Sequence, residues 1–253
     1  MSNVVLSIDG RKAVNDSKRT CVNGSGSYDI IVPKFKRLVK KRGDKSYYVR
    51  GTFTHDNLDF VNDFEHLYGL GFDEISLEPA TLPQSVDYAI KDEDLEVIAK
   101  EYEKLAIHIA EIRLSGKKVN FFHYNINLDG GPCAIKRLKG CGAGNEYLAV
   151  APNGDLYPCH QFVGMDEYRI GSLSEGITNK DICQTFASSN VLTKSDCNDC
   201  FAKYHCSGGC SAGNVLYGGG MDKPYKQACF MQKKRLECAI MLQAAVKEQK
   251  NVR

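Results

Sequence analysis

The chain has 253 residues, enough for one large domain or two modest ones with cores of their own. Its 43% hydrophobic and 25% charged residues exclude a disordered chain, and a net charge of only +2 gives no reason to expect a nucleic-acid partner. No run of 18 uncharged apolar residues and no signal peptide is found, so a cytoplasmic protein with no membrane partner is the expectation.

Val4, Val5, Leu6 and Ile8 open the chain as a short strand that ends in the turn signal Asp9-Gly10. Ile30 to Val39 has helical spacing, with Ile31, Phe35, Leu38 and Val39 inward and a basic outer face, stopped by Gly43. Tyr47 to Phe53 is aromatic and β-branched and reads as a strand. Asp59 to Leu70 reads as a helix with Phe60, Phe64 and Leu67 on one face. Glu74 to Glu78 is a third strand, ended by Pro79. Asp94 to Leu114 is a long amphipathic helix, and Val119 to Tyr124 a fourth strand.

Strand and helix alternating at this pace predict βαβ crossovers and a parallel sheet, an α/β fold. Parallel strands are normally covered on both faces and flanked on both sides, so a sheet that starts at residue 4 leaves its first strand with an apolar edge. Two readings stay open: a small open sheet with a protected edge, or part of a (β/α) barrel that lacks its N-terminal strands and depends on a partner. Ligands of such sheets bind at the carboxyl ends of the strands, where Ser7, Asp9, Arg50, Thr52, Thr54, Glu78 and His123 fall. Each is equally well explained as a turn former or a satisfied polar group.

Cysteine divides the chain. Of the 11 cysteines only Cys21 precedes residue 133, and the other ten lie between Cys133 and Cys238. An odd count without a secretion signal argues against a disulfide scaffold and for reduced thiols on a metal. Residues 1–130 and 131–253 therefore read as two units.

Two constellations stand out in the second unit. The first is Cys141-x12-Gly154-x4-Cys159, in which Tyr147 to Val150 and Asp155 to Tyr157 read as strands joined by Pro152-Asn153-Gly154. A hairpin there would return the chain and bring Cys141 and Cys159 together. The second is Cys197-x2-Cys200-x5-Cys206-x3-Cys210, where Ser207, Gly208 and Gly209 remove bulk. Cys229 follows on a helix from about Pro224 to Lys247, with Cys238 further along it. Eight ligands, Cys133, Cys141, Cys159, Cys197, Cys200, Cys206, Cys210 and Cys229, would close two four-cysteine sites for zinc or for iron–sulfur clusters, and ligand number does not choose between them. Cys21, Cys183 and Cys238 are expected to be unligated core thiols. His160 and His205 each neighbour a ligand and are not assigned as ligands.

The pattern CX12GX4C, CX2CX5CX3C and a later Cys resembles the SPASM domain of radical S-adenosylmethionine (SAM) enzymes. The stretches GPCAIKRLKGCGAGNEYLAVAPNGDLYPCHQFVG and CFAKYHCSGGCSAGN resemble the maturase family that forms thioether cross-links in six-cysteines-in-forty-five (SCIFF) peptides. LSIDG, YDIIVPKFKRLV and YYVRGTFTHDNLDF are similar to the later βα repeats of that family's partial barrel. The resemblance implies the C-terminal half of a partial radical SAM barrel over 1–130, then an irregular SPASM domain with a C-terminal helix over 131–253. It implies interleaved ligation: Cys141, Cys159 and Cys210 on a first auxiliary [4Fe–4S] cluster, and Cys197, Cys200, Cys206 and Cys229 on a second. Cys133 is either the fourth ligand of the first or leaves that iron open to a substrate thiol.

The resemblance further implies a ribosomally made Cys-rich peptide as substrate, with Ser7 and Arg50 on the SAM side of the barrel. Lys136, Arg137, Lys139 and Lys203 lie near the ligands and either raise cluster potentials or form a solvated basic surface. The CX3CX2C loop that binds the SAM cluster is absent from these residues: Cys206-x3-Cys210 would need a cysteine at 213, which is Gly213. SAM and a third [4Fe–4S] cluster are therefore expected only in an intact enzyme, with a missing N-terminal half as partner. A cluster-binding electron-transfer module without SAM chemistry and a zinc-stabilised interaction protein are the rival readings.

Overall fold

A computed structural model describes residues 2–128 and 137–251; Cys133 and Lys136 lie outside the described residues. The chain folds as two compact units: residues 1–127 with 234–253, and residues 128–233.

The first unit is built on four parallel strands in the order β1 (Val5–Ser7), β2 (Tyr48–Phe53), β3 (Glu74–Pro79) and β4 (Asn120–Phe121). Between them run α1 (Lys12–Lys18), α2 (Tyr28–Arg42), α3 (Phe60–Gly69) and α4 (Leu95–Leu114). Every strand neighbours its successor in sequence, so all crossovers step in one direction across the sheet. The register sets Ser7 beside Arg50 and Arg50 beside Ser76, one row across three strands. In β3 the run Ile75, Ser76, Leu77 is fully buried, as a strand covered on both faces must be. β1 pairs only with β2, and its outward residue Val5 is 44% exposed.

Aromatic side chains fill the space between sheet and helices. Phe53 stacks on Phe60 at 4.4 Å, Phe60 meets Tyr102 at 5.0 Å, and Phe121 lies 6.1 Å from Phe64 and 4.9 Å from Tyr124. Each buried ring contributes about 1.5–3 kcal/mol by leaving water. The helical spacing of Phe60, Phe64 and Leu67 is what delivers α3 to this core.

The fourth strand is shorter than expected. Only Asn120 and Phe121 pair with β3, and Phe122 to Tyr124 wind into a 3₁₀ turn. Phe121 and Tyr124 are both buried while Phe122 is 51% exposed, a spacing of three that suits the tight turn and not a pleated strand. Helix α1 has no apolar stripe to announce it; its buried residue is Asn15. The second helix begins at Tyr28, ahead of the expected Ile30.

The second unit holds a small antiparallel sheet of four short strands, β5 (Ala149–Val150), β6 (Asp155–Tyr157), β7 (Gly171–Ser172) and β8 (Gly176–Ile177). The expected hairpin is present as β5 and β6, with Ala149 opposite Tyr157. Helix α5 (Lys180–Ser188), the single turns α6 (Lys203–Cys206) and α7 (Ser211–Gly213), and a π-turn over Asn214–Gly218 follow. The last helix, α8 (Lys226–Asn251), starts just after Pro224, and its residues from Lys234 onward belong to the first unit. Among the described residues no helix is long and apolar enough to cross a membrane.

Candidate metal centres and the strand-end site

At the carboxyl ends of the parallel strands the seven candidate residues divide. Asp9 is consumed by structure: it accepts two bonds from Arg19, at 2.7 and 2.8 Å, and two from Thr52, at 2.9 Å from the amide and 3.0 Å from the hydroxyl. Thr54 caps the 3₁₀ turn His55–Asn57 through Asn57. Ser7 stands exposed on the edge strand. The remaining three enter one network.

That network runs in a single donor direction. Arg235, on α8, lies 3.3 Å from His123 Nδ1; a guanidinium only donates, so Nδ1 accepts and the imidazole proton sits on Nε2. His123 Nε2 faces Ser76 Oγ at 3.0 Å, and Ser76 Oγ donates onward to Glu78 at 3.4 Å. Arg50 closes the chain from the other side, its Nε 3.2 Å from Glu78 Oε1. Burial pushes the Glu78 carboxyl up, but hydrogen bonds from His123 and Arg50 outweigh it and hold its pKa at about 2. Burial lowers the His123 pKa against the opposing pull of Glu78, which keeps the imidazole neutral at pH 7.

In the second unit the hairpin does bring Cys141 and Cys159 together. Gly144, at φ +72°, turns its amide onto two carbonyls, Tyr147 at 3.1 Å and Pro158 at 3.0 Å. That pins the loop after Cys141 against the residue before Cys159. A Cβ at Gly144 would meet Phe186 at 3.0 Å and Pro158 at 3.1 Å, so a side chain there would open the loop. Cys210 joins them: the Gly209 carbonyl lies 3.6 Å from where a Gly140 Cβ would stand. Burial pushes the Cys159 thiol up, the Gln161 amide pulls it back, and charge on Cys210 and Cys141 pushes it further. The Tyr147 hydroxyl donates to the Cys141 sulfur at 3.7 Å. Its own proton is held above the ordinary tyrosine range by burial, by that bond, and by charge on Cys141, Cys159 and Cys210.

The second set winds on a nearly continuous series of turns. The Cys200 amide donates to the Cys197 carbonyl at 3.2 Å, Lys203 to Cys200 at 3.1 Å, and Cys206 to Ala202 at 2.8 Å. Cys229 enters in the first turn of α8. Burial raises the Cys229 thiol to about 11, helped by charge on Cys206, Cys197 and Cys200. Cys197 is raised by burial and then by Cys206 and Cys200. Charge on Cys141 and Cys210 thus bears on Cys159, and charge on Cys200 and Cys206 bears on Cys197 and Cys229.

None of the ten described cysteines forms a disulfide. Among the described residues no three His, Cys, Asp or Glu side chains stand close enough to hold a single metal ion. The donor sets are all sulfur, the ligand chemistry of an iron–sulfur cluster. Of the cysteines left out of these sets, Cys238 is buried in the first unit, Cys183 lies on α5, and Cys21 faces the Gly26 carbonyl at 3.9 Å. His160 is exposed, and His205 accepts from Arg137 at 3.3 Å. Lys139 and Lys203 donate to the carbonyls of Ala187 and Asn198. Sequence reasoning missed Ser76, Arg235, Tyr147 and Lys194, none of which carries a local signal.

Residues 141–201 match the family model of the SPASM iron–sulfur cluster-binding domain. Two of the similar proteins are maturases. Mycofactocin maturase MftC of Mycolicibacterium smegmatis is 27% identical over 232 residues, 87% of this chain and 55% of that protein. A cysteine-type anaerobic sulfatase-maturating enzyme of Clostridium novyi is 24% identical over 221 residues, 82% of this chain and 57% of that protein. The chain therefore spans a little over half the length of these curated relatives. In fold it is similar to anSMEcpe with bound AdoMet, at TM-score 0.69 and 19% identity over 97% of this chain and 68% of that one. The same protein with AdoMet and the Kp18Cys peptide gives TM-score 0.69 at 18% identity, over 97% of this chain and 69% of that one. The chain is thus similar to maturases in sequence and to anSMEcpe in fold.

Proposed function

We propose that this chain is the auxiliary-cluster portion of a radical SAM/SPASM peptide maturase and holds two [4Fe–4S] clusters. One is held by Cys141, Cys159 and Cys210, with Cys133 or a substrate thiol as fourth ligand, and the other by Cys197, Cys200, Cys206 and Cys229. The observation that carries the reading is the spacing Cys141-x12-Gly154-x4-Cys159, Cys197-x2-Cys200-x5-Cys206-x3-Cys210 and Cys229, over which residues 141–201 match the SPASM cluster-binding domain. Such clusters, when bound, supply sites for single electrons at potentials tuned by charge and hydrogen bonding at sulfur. The residues of the chain position the thiolates, bury them and set their electrostatics. In this reading residues 1–130 supply part of a (β/α) barrel, and Ser7 and Arg50 face SAM at its strand ends.

Cys206→Ala and Cys210→Ala test the pairing. Each should remove about half of the iron, and the surviving electron paramagnetic resonance signal should differ between them. Identical spectra from the two variants would contradict two separate sites. The finer reading is a thioether maturase: with a polypeptide that supplies the CX3CX2C residues, the protein should remove one hydrogen pair from a Cys-rich ribosomal peptide by forming a sulfur-to-α-carbon bond. An electron-transfer module without SAM chemistry is the second reading. Unchanged peptide mass with fully loaded clusters would select it.

A further inference from the structure

Lysine is almost never buried without a partner for its charge. Lys194 is 3% exposed. Its ammonium donates to Ser189 Oγ at 3.0 Å and to the Met221 carbonyl, two neutral acceptors that fix the group without cancelling its charge. Its own carbonyl accepts the Cys197 amide at 2.9 Å, which ties its backbone to the turn presenting Cys197. Burial lowers its proton affinity, and Asp222, Cys197 and Cys206 oppose that loss. The lysine stem runs where Gly208 has no side chain: a Cβ there would lie 2.8 Å from Lys194 Cε and 3.2 Å from Cδ. Lys194 also lines a small cleft with Gly140, Cys141, Ser207 and Gly209. Gly208, left-handed at φ +82° and two residues after Cys206, thus gives room to the lysine stem.

We propose that Lys194 is the buried counter-cation of the second thiol set, a positioning residue that raises the electron affinity of a cluster held by Cys197, Cys200, Cys206 and Cys229. The inference rests on the iron–sulfur reading above and deepens it. Reduction adds one negative charge to the site, taken from an external reductant such as dithionite, with no bond made or broken. A fixed positive charge favours the reduced form, and more strongly in a water-poor setting than at the surface. Lys203 lies between Cys200 and Cys206 in sequence, but its ammonium is committed to the Asn198 carbonyl at 2.7 Å in an exposed position, where solvent screens it. The two lysines therefore predict different outcomes.

The test is potentiometric titration of the anaerobically reconstituted chain, followed by electron paramagnetic resonance, with iron and sulfide measured on every sample. Lys194→Met and Lys194→Gln should load fully and make reduction of the second-set cluster at least tenfold less favourable, a drop of about 59 mV for a one-electron couple. Lys194→Arg and Lys203→Met should stay near the parent protein. Full loading with unchanged potentials in both neutral variants would overturn the proposal. So would loss of iron in both neutral variants while Lys194→Arg loads normally, since that marks a purely structural lysine. A parent protein that takes up no iron or sulfide would instead defeat the iron–sulfur reading itself.

Discussion

Cys206 and Cys210 are four positions apart in the chain, yet their charges bear on different thiols. Cys206 bears on Cys197 and Cys229, while Cys210 bears on Cys159. The three residues between them explain the divergence: Ser207, Gly208 and Gly209 have φ of 58°, 82° and 80°, three successive left-handed residues. A helix continuing from α6 would have stacked the two sulfurs on one face. The left-handed run breaks that stacking and sends Cys210 to the loop that carries Cys141.

The divergence makes Gly208 a sensitive position. A left-handed conformation costs a residue with a Cβ about 1–2 kcal/mol, and at Gly208 that Cβ also collides with Lys194. Gly208→Ala is expected to lower bound iron and to shift the second-set signals more than the first. Iron analysis with paramagnetic resonance checks it.

The Tyr147 hydroxyl donates a hydrogen bond to the sulfur of Cys141, a candidate ligand. Hydrogen bonds to sulfur stabilise the reduced, more negative state of a cluster. Tyr147→Phe should therefore lower the first-set potential and leave the second unchanged, as read by potentiometric titration.

The strand-end network predicts acid sensitivity. Glu78 titrates at about 2 in the folded chain, against an ordinary value of 4.5, so its stabilisation is complete above the unfolded value and is lost as pH falls toward 2. His123, with a lowered folded value, acts in the same direction: its protonation on unfolding favours the unfolded chain as pH drops below about 6.5. The Glu78 part is on the order of 3 kcal/mol. Glu78→Gln should flatten the fall in stability between about pH 4.5 and 2, measured by denaturant titration across that range.

Phe60 stands at the centre of the aromatic core, between Phe53 and Tyr102. Phe60→Ala should cost about 3–5 kcal/mol through lost burial and the cavity left behind. Thermal or urea unfolding checks the value.

Much of this was legible in the sequence because it depends on local pattern. Alternating strands and amphipathic helices follow from periodic burial, and β2, β3, α3 and α4 lie close to their expected bounds. The β5–β6 hairpin is announced by its Pro-Asn-Gly turn. What was hidden depends on partners distant in the chain. His123 takes its tautomer from Arg235, more than a hundred residues later, and Lys194 acquires meaning only from Gly208 and Cys206 beside it. Asp9 and Thr54 looked like ligands because turn formers and ligands share the same polar chemistry; their hydrogen bonds show them engaged within the fold. Phe122 misled because an aromatic run suits a strand until one ring is seen to face solvent.

Chemical analysis of the chain purified and reconstituted without oxygen reaches the central point most directly. The account predicts about eight iron and eight acid-labile sulfide per chain, as two four-iron clusters require. Colourless protein carrying stoichiometric zinc and no sulfide would contradict it.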